Sequence, residues 1–160
     1  MEYQLINPRR PGTSAIEQVL LNRGIQDVQH YLNTVDTDIL SPLDLDNIEN
    51  GAKLLVSHIV QKSKVFVIID SDCDGYCSSA LLINYLNNLF PAFVQNNISY
   101  SPHTGKQHGI ILDMIPEDVK LVIAPDSASS DYEQHEELAK RGIDVLVLDH
   151  HEAPEVSQYA

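Results

Sequence analysis

A run of apolar, mostly β-branched residues that closes on an acid occurs three times along the chain. "KVFVIID" ends at Asp70, "VKLVIAPD" (119–126) at Asp126, and "IDVLVLDHH" (143–151) at Asp149, with His150 and His151 directly behind it. Charge stands only at the ends of these runs, the pattern of a strand covered on both faces. A weaker strand is expected around Ile98–Tyr100.

Helical periodicity fills the intervals. Ser14-Ala15-Ile16-Glu17 fits a capping box and Arg23-Gly24 a stop, which predicts a short helix over 14–23. Ile48, Ala52, Leu55 and Ile59 recur at helical spacing behind a cap candidate, Asp46, with Glu49 three residues on. Leu82, Tyr85, Leu86 and Leu89 mark a further helix that Phe90-Pro91 terminates. "SDYEQHEELAKRG" reads as a helix capped by Ser130 or Asp131 and stopped by Gly142. Strands alternating with helices imply an α/β fold: a Rossmann-like parallel sheet with right-handed crossovers and helices on both faces. The ligand site of such a sheet lies beyond the carboxyl ends of its strands. Asp70, Asp72, Asp74, Asp126, Asp149, His150 and His151 are therefore expected to converge on one edge.

Composition narrows the function classes. With Lys+Arg 10 against Asp+Glu 23 and a net charge of −13, the chain is unsuited to broad, non-specific adhesion to nucleic acid. A nucleic-acid enzyme is still compatible, because bound divalent metals return positive charge to the site and basic surface can lie on a partner. No apolar run follows the basic residues of "MEYQLINPRRPGTSA", so no signal peptide is expected, and no stretch reaches the length of a membrane span. Cys73 and Cys77 form no CxxC pair and read as reduced thiols of a cytoplasmic protein.

Clustered aspartates are most often a solvated turn, but here each acid follows a buried-strand pattern at the same end. "DSDCDG" also matches the opening of an EF-hand loop. That loop needs a bidentate Glu at its twelfth position, where Leu81 stands, and a preceding helix rather than a β-branched strand. A haloacid-dehalogenase-type nucleophile loop wants Thr or Val two residues after its second aspartate, where this chain has Asp74 and then Gly75. Several carboxylates with one or two imidazoles suit Mn²⁺ or Mg²⁺, and carboxylates bridging two ions would make a phosphoryl-transfer site. Without cations, acids this close would raise one another's pKa. The adjacent His150 and His151 point in different directions at a strand end, so one ring can ligate while the other meets substrate. "SPHTGKQHGI" (101–110) is either an ordinary polar loop or a phosphate contact built from His103, Lys106 and His108.

Strand-"DSDCDG", strand-"APD" and strand-"LDHH" together resemble the successive motifs of the DHH phosphoesterase superfamily, with the RecJ-like branch nearest. The lead-in "AIEQVLLNRGIQDVQHYLN" and "LSPLDLDNIENGAKLLVSHIVQKSKVFVIID" is similar to that branch as well, so the likeness runs from about residue 14 onward. It implies a helical lead-in over 1–62 and a DHH domain over 63–160. It implies metal ligation by Asp70, Asp72, Asp74, Asp126 and His150, with Asp149 a ligand or an orienter of the histidines. Catalysis would rest on Asp72, Asp126, His150 and His151, the last contacting the scissile phosphate or helping the leaving group. His103, Lys106, His108 and His151 would meet substrate. The implied cofactor is a pair of Mn²⁺ or Mg²⁺ ions. The implied activity is 5′→3′ hydrolysis of single-stranded DNA; alternatives are cleavage of short oligonucleotides or cyclic dinucleotides, or an inactive adaptor for a replication or repair protein.

Several features depart from the family. RecJ-like proteins usually carry an arginine and a G-Y-G loop where this chain has His103 and Gln107-His108-Gly109, and a glycine where this chain has "SASS" after Asp126. The family also supplies a further metal-binding aspartate and a DHH-associated domain downstream, whereas this sequence stops at Ala160. The expectation is an amino-terminal piece with an incomplete metal site, weak or inactive alone.

Overall fold

The structure, a computed structural model, describes residues 8–105 and 107–160. It divides into two compact units that meet in sequence between Asp46 and Asn47. In the first, α1 (Ala15–Asn22) begins with the expected capping box: Ser14 accepts from the Glu17 N–H, and Glu17 reaches back to the Ser14 N–H. A second short helix, α2 (Val28–Leu32), is capped by the Asp27 carboxylate, which accepts from the His30 N–H at 3.0 Å. At five residues α2 is too short for its periodicity to stand out in the sequence.

The second unit is built on β1 (Lys64–Ile69), β2 (Ile98–Pro102), β3 (Val119–Pro125) and β4 (Asp144–Leu148). All neighbours are parallel and the order is β2-β1-β3-β4. The Rossmann-like parallel sheet expected from the sequence is therefore present, its weak strand at one edge. The alternation of side chains defines two faces. Val65, Val67, Ile69, Leu121, Ile123 and Leu146 pack with residues of α3 (Ile48–Gln61), α4 (Cys73–Leu89) and α5 (Pro91–Asn97). Phe66, Ile68, Val122, Ala124 and Val145 pack with Leu138 of α6 (Tyr132–Lys140) and with Ile110 and Ile115. Helices thus cover both faces, and the two central strands, β1 and β3, are almost wholly buried, while the edge strand β2 is half-exposed. Each fully buried Val, Ile or Leu contributes roughly 1.5–3 kcal/mol, which is why so short a sheet can hold charged loops at its end.

Several helix boundaries differ from the sequence reading. α3 starts behind Asn47, which is left-handed at φ 62, and no side chain caps it; Asp46 does not act as the cap. Its apolar face, with Leu54, Leu55 and Ile59, lies on the sheet, so this helix packs with the second unit. Pro91 ends α4 as expected but also occupies the first turn of α5, where its missing N–H costs nothing. α4 starts at Cys73, well before the apolar stripe that announced it, because Asp72 caps it. Among the described residues no helix is long and apolar enough to cross a membrane.

Candidate metal centre

The strand order changes direction between β1 and β3: the chain leaves β1 toward β2 on one side, while β3 lies on the other. A crevice beyond the carboxyl ends of two such strands is the usual ligand site of an open parallel sheet. Asp70, Asp72 and Asp74 follow β1, and Asp126 follows β3. The ladder also extends past the strands. His103 N–H donates to Ile69 O at 2.8 Å and Asp126 N–H to Leu148 O at 2.9 Å, so both residues are set by the sheet itself.

The acids after β1 divide by position. Asp72 is the N-cap of α4 and accepts from the Gly75 N–H at 3.0 Å, and Asp74 sits in the helix's first turn, where the helix dipole favours negative charge. Gly75 is buried against the end of β1. A Cβ there would lie 2.6 Å from Asp70 Cβ and 2.8 Å from its carbonyl oxygen, so only glycine lets α4 start this close. Cys73 and Cys77 are free and exposed on the same helix, and the Cys73 thiol, donating to the Cys77 sulfur, is pushed above its ordinary range.

Asp126 closes the group from the other strand. One oxygen each from Asp72, Asp74 and Asp126 fall within 4.8 Å of one another. Asp126 also belongs to a second set, with one ligand atom each from Asp149, His150 and His151 within the same 4.8 Å. Its backbone is left-handed at φ 64, as is that of Ala128 at φ 81, conformations that cost non-glycine residues of order 1 kcal/mol or more. The turn holds that strain because Ser129 N–H donates to Asp149 at 3.1 Å. The Asp126 carboxylate is buried. Burial, then Asp74 and Asp72, push it above its ordinary value, and its Oδ2 has no hydrogen-bond partner among the described residues. His150 Nε2 lies 3.1 Å from Oδ1. A buried, partnerless carboxylate oxygen facing two further acids and an imidazole fits a divalent cation, and the oxygen-rich set fits Mn²⁺ or Mg²⁺ better than zinc.

Asp70 stands apart from both sets. It is buried, its Oδ1 accepting from Ser71 N–H at 2.7 Å with His103 Nδ1 3.1 Å away, and its Oδ2 lies 2.6 Å from His108 Nδ1. Burial alone would raise its pKa; the hydrogen bonds from His103 and Ser71 and the charge of His108 outweigh it and hold the carboxyl below its ordinary value. Asp70, expected from the resemblance to ligate metal, belongs to neither cluster; its oxygens face groups of the histidine loop and its own turn. His103, expected to face phosphate, is instead buried, with Nε2 2.8 Å from Gly109 O. His108 is more than half exposed and its ring meets His151 edge-on at 5.7 Å. Lys106 lies outside the described residues.

Asp149 is saturated in a similar way. Oδ1 accepts from the N–H groups of His150 and His151 and lies 2.6 Å from His151 Nδ1, while Oδ2 accepts from Ser129. Of the two roles left open by the sequence, these contacts favour the orienter of the histidines. The edge therefore carries two kinds of acid: Asp70 and Asp149 hold imidazoles, while Asp72, Asp74 and Asp126 leave oxygens for a cation.

Residues 64–160 match the model of the DHH family, N-terminal domain. The chain belongs to the DHH family. Its curated relatives are named as single-strand DNA exonucleases. The chain is 43% identical over 160 residues to the SPbeta prophage-derived protein YorK of Bacillus subtilis strain 168, covering 100% of this chain and 27% of YorK. It is 31% identical over 151 residues to RecJ of Haemophilus influenzae, covering 90% of this chain and 26% of that protein. Against both DHH relatives, then, the chain spans only about a quarter of their length. Its fold is similar to a crystal structure of exonuclease RecJ bound to manganese, at a TM-score of 0.61 and 23% identity over 74% of this chain and 31% of that one. It is also similar to RecJ in complex with Mn²⁺ from Thermus thermophilus, at a TM-score of 0.59 and 22% identity over 87% of this chain and 19% of that one.

Sequence reasoning missed one contact at this edge: the backbone N–H of Ser129, which donates to Asp149, leaves no mark in a sequence.

Proposed function

We infer that this chain carries the metal-binding edge of a phosphodiesterase that hydrolyses single-stranded DNA, with 5′→3′ action and Mn²⁺ or Mg²⁺ as cofactor. The observation that carries the reading is Asp126, buried and common to both clusters of ligand atoms, with one oxygen that has no partner among the described residues. The names of the DHH relatives support DNA single strands as substrate.

Asp72, Asp74 and Asp126 would hold one ion, and Asp126 with His150 a second. Divalent ions held there would supply Lewis-acid chemistry: a more acidic bound water and stabilisation of negative charge on the phosphate oxygens. The protein's own part is arrangement. Asp149 fixes His151 with Nδ1 toward the acid, so the ring presents Nε2, suited to contact a phosphate oxygen or to give a proton to the leaving group. Asp70 fixes His108 beside it. The imidazoles supply positive or donor groups at a site whose chain is otherwise acidic.

The test is release of nucleotides from 5′-labelled single strands in Mn²⁺, with a duplex control. The expected result is weak, single-strand-selective cleavage that chelation abolishes and that Asp126→Asn removes. Cleavage untouched by either would contradict the reading.

A further inference from the structure

The loop that carries His103 and His108 is held at its far end by a residue that belongs to neither ligand cluster. Asp131 precedes α6, where an aspartate ordinarily caps the helix with its side chain. Here it makes no such cap. Its Oδ2 instead accepts the Ile110 N–H at 2.6 Å. Gly109, left-handed at φ 69, sits directly against that carboxylate: a Cβ on it would fall 2.2 Å from Asp131 Oδ2. The preceding contact, His103 Nε2 to Gly109 O at 2.8 Å, ties the same segment back to Asp70. The histidine loop is thus pinned from β1 through Asp70 and from the β3–α6 turn through Asp131. That turn also supplies Asp126 and the Ser129 N–H that holds Asp149.

We propose that Asp131 is a positioning residue of the phosphoesterase centre, which holds the Gly109–Ile110 segment so that His108 stays beside His151 where a phosphate would be met. The proposal rests on the phosphoesterase reading and names a residue that reading does not require. It acts through a hydrogen-bond acceptor and not through charge at the metal. Asn at 131 keeps an acceptor for the Ile110 N–H, Ala removes it, and Ala at 109 displaces the loop from the other side. α6 should survive these changes, since Asp131 contributes no side-chain cap to it.

The experiment measures Mn²⁺ affinity, and then the affinity of thymidine 5′-monophosphate in saturating Mn²⁺, for the 160-residue chain and its variants by calorimetry. Asp131→Ala and Gly109→Ala should bind the nucleotide about tenfold more weakly, the scale of one lost hydrogen bond to a charged group. Their Mn²⁺ affinity should stay within about twofold, and Asp131→Asn should bind the nucleotide nearly as the parent does. Equal nucleotide binding by Asp131→Ala, a parallel loss of Mn²⁺, or an Asn variant as damaged as the Ala variant would each overturn the positioning role. If the parent chain itself failed to bind Mn²⁺ or the nucleotide, the phosphoesterase reading would fall and this inference with it.

Discussion

His151 Nδ1 lies 2.6 Å from Asp149 Oδ1, with the carboxylate buried and the ring half exposed. The acid fixes which ring nitrogen faces inward, and so which one is offered to a ligand. The effects on the two groups are opposite. Burial alone would push Asp149 up, but hydrogen bonds from His151 and Ser129 outweigh it and hold the carboxyl well below its ordinary 3.8. The same hydrogen bond and the charge of Asp149 lift His151 above its ordinary 6.5.

The pair therefore makes stability depend on pH from both sides. The lowered acid stabilises above its unfolded value, and that contribution is lost as pH falls through the folded one. The raised histidine stabilises fully below its unfolded value, and that contribution is lost as pH rises through the folded one. The gap in melting temperature between the parent and Asp149→Asn should be widest from about pH 4 to 6.5 and shrink at higher pH. By NMR, the His151 titration midpoint should move down toward its ordinary value in the variant. An unmoved midpoint would show that the contact does not persist in solution.

Asp70 and its neighbours in "DSDCDG" should separate cleanly. Asp72→Asn, Asp74→Asn and Asp126→Asn should each weaken Mn²⁺ binding by about a hundredfold or more, beyond the cost of losing a ligand's hydrogen-bond partner. Asp70→Asn should leave Mn²⁺ affinity within about threefold, yet lower stability by about 1–3 kcal/mol because buried groups lose a charged partner. Titrations of Mn²⁺ and urea unfolding of the same variants decide it; a collapse of Mn²⁺ affinity in Asp70→Asn would return that residue to the ligand set.

Asp126 predicts a gain on removing charge. In the metal-free protein its carboxyl is raised by burial and by Asp74 and Asp72, so the folded state loses stability as pH climbs past the ordinary 3.8. Asn tolerates the left-handed backbone that this position adopts. At neutral pH and without metal, Asp126→Asn should match or exceed the parent in stability. With Mn²⁺ present the order should reverse, because only the parent gains from the ion. Scanning calorimetry with and without Mn²⁺ reads both signs.

Gly75→Ala should destabilise by about 1–3 kcal/mol, the range for forcing a methyl into a packed site. The atoms it would meet belong to the Asp70 backbone and Cβ, which cannot swing aside as a long side chain can. Chemical denaturation measures this directly, and a neutral result would mean that α4 can start farther from β1.

The strands and their convergence were legible because buried parallel strands leave an unbroken apolar run, and each run here stops at an acid. The start of α4 was not: an acidic cap and first turn look like a loop until Asp72 is seen accepting from Gly75. α5 was hidden because proline both ends one helix and begins the next. The three acids of "DSDCDG" look alike by spacing, yet the first ends a strand, the second caps a helix and the third lies in its first turn, which gives them different directions. His103 looked like a surface donor because a sequence does not show that it lies against Asp70 and Gly109. Asp131 carried the signature of a cap, and the structure spends its carboxylate on Ile110 instead.

The most direct test of a divalent centre built around Asp126 is anomalous scattering from crystals of this chain grown in Mn²⁺, collected at the manganese edge. The account predicts density within coordination distance of the Asp126 carboxylate, flanked by Asp72 and Asp74 on one side and His150 on the other. Crystals with no anomalous density beside Asp126, or with manganese held by Asp70 and His108 instead, would contradict it.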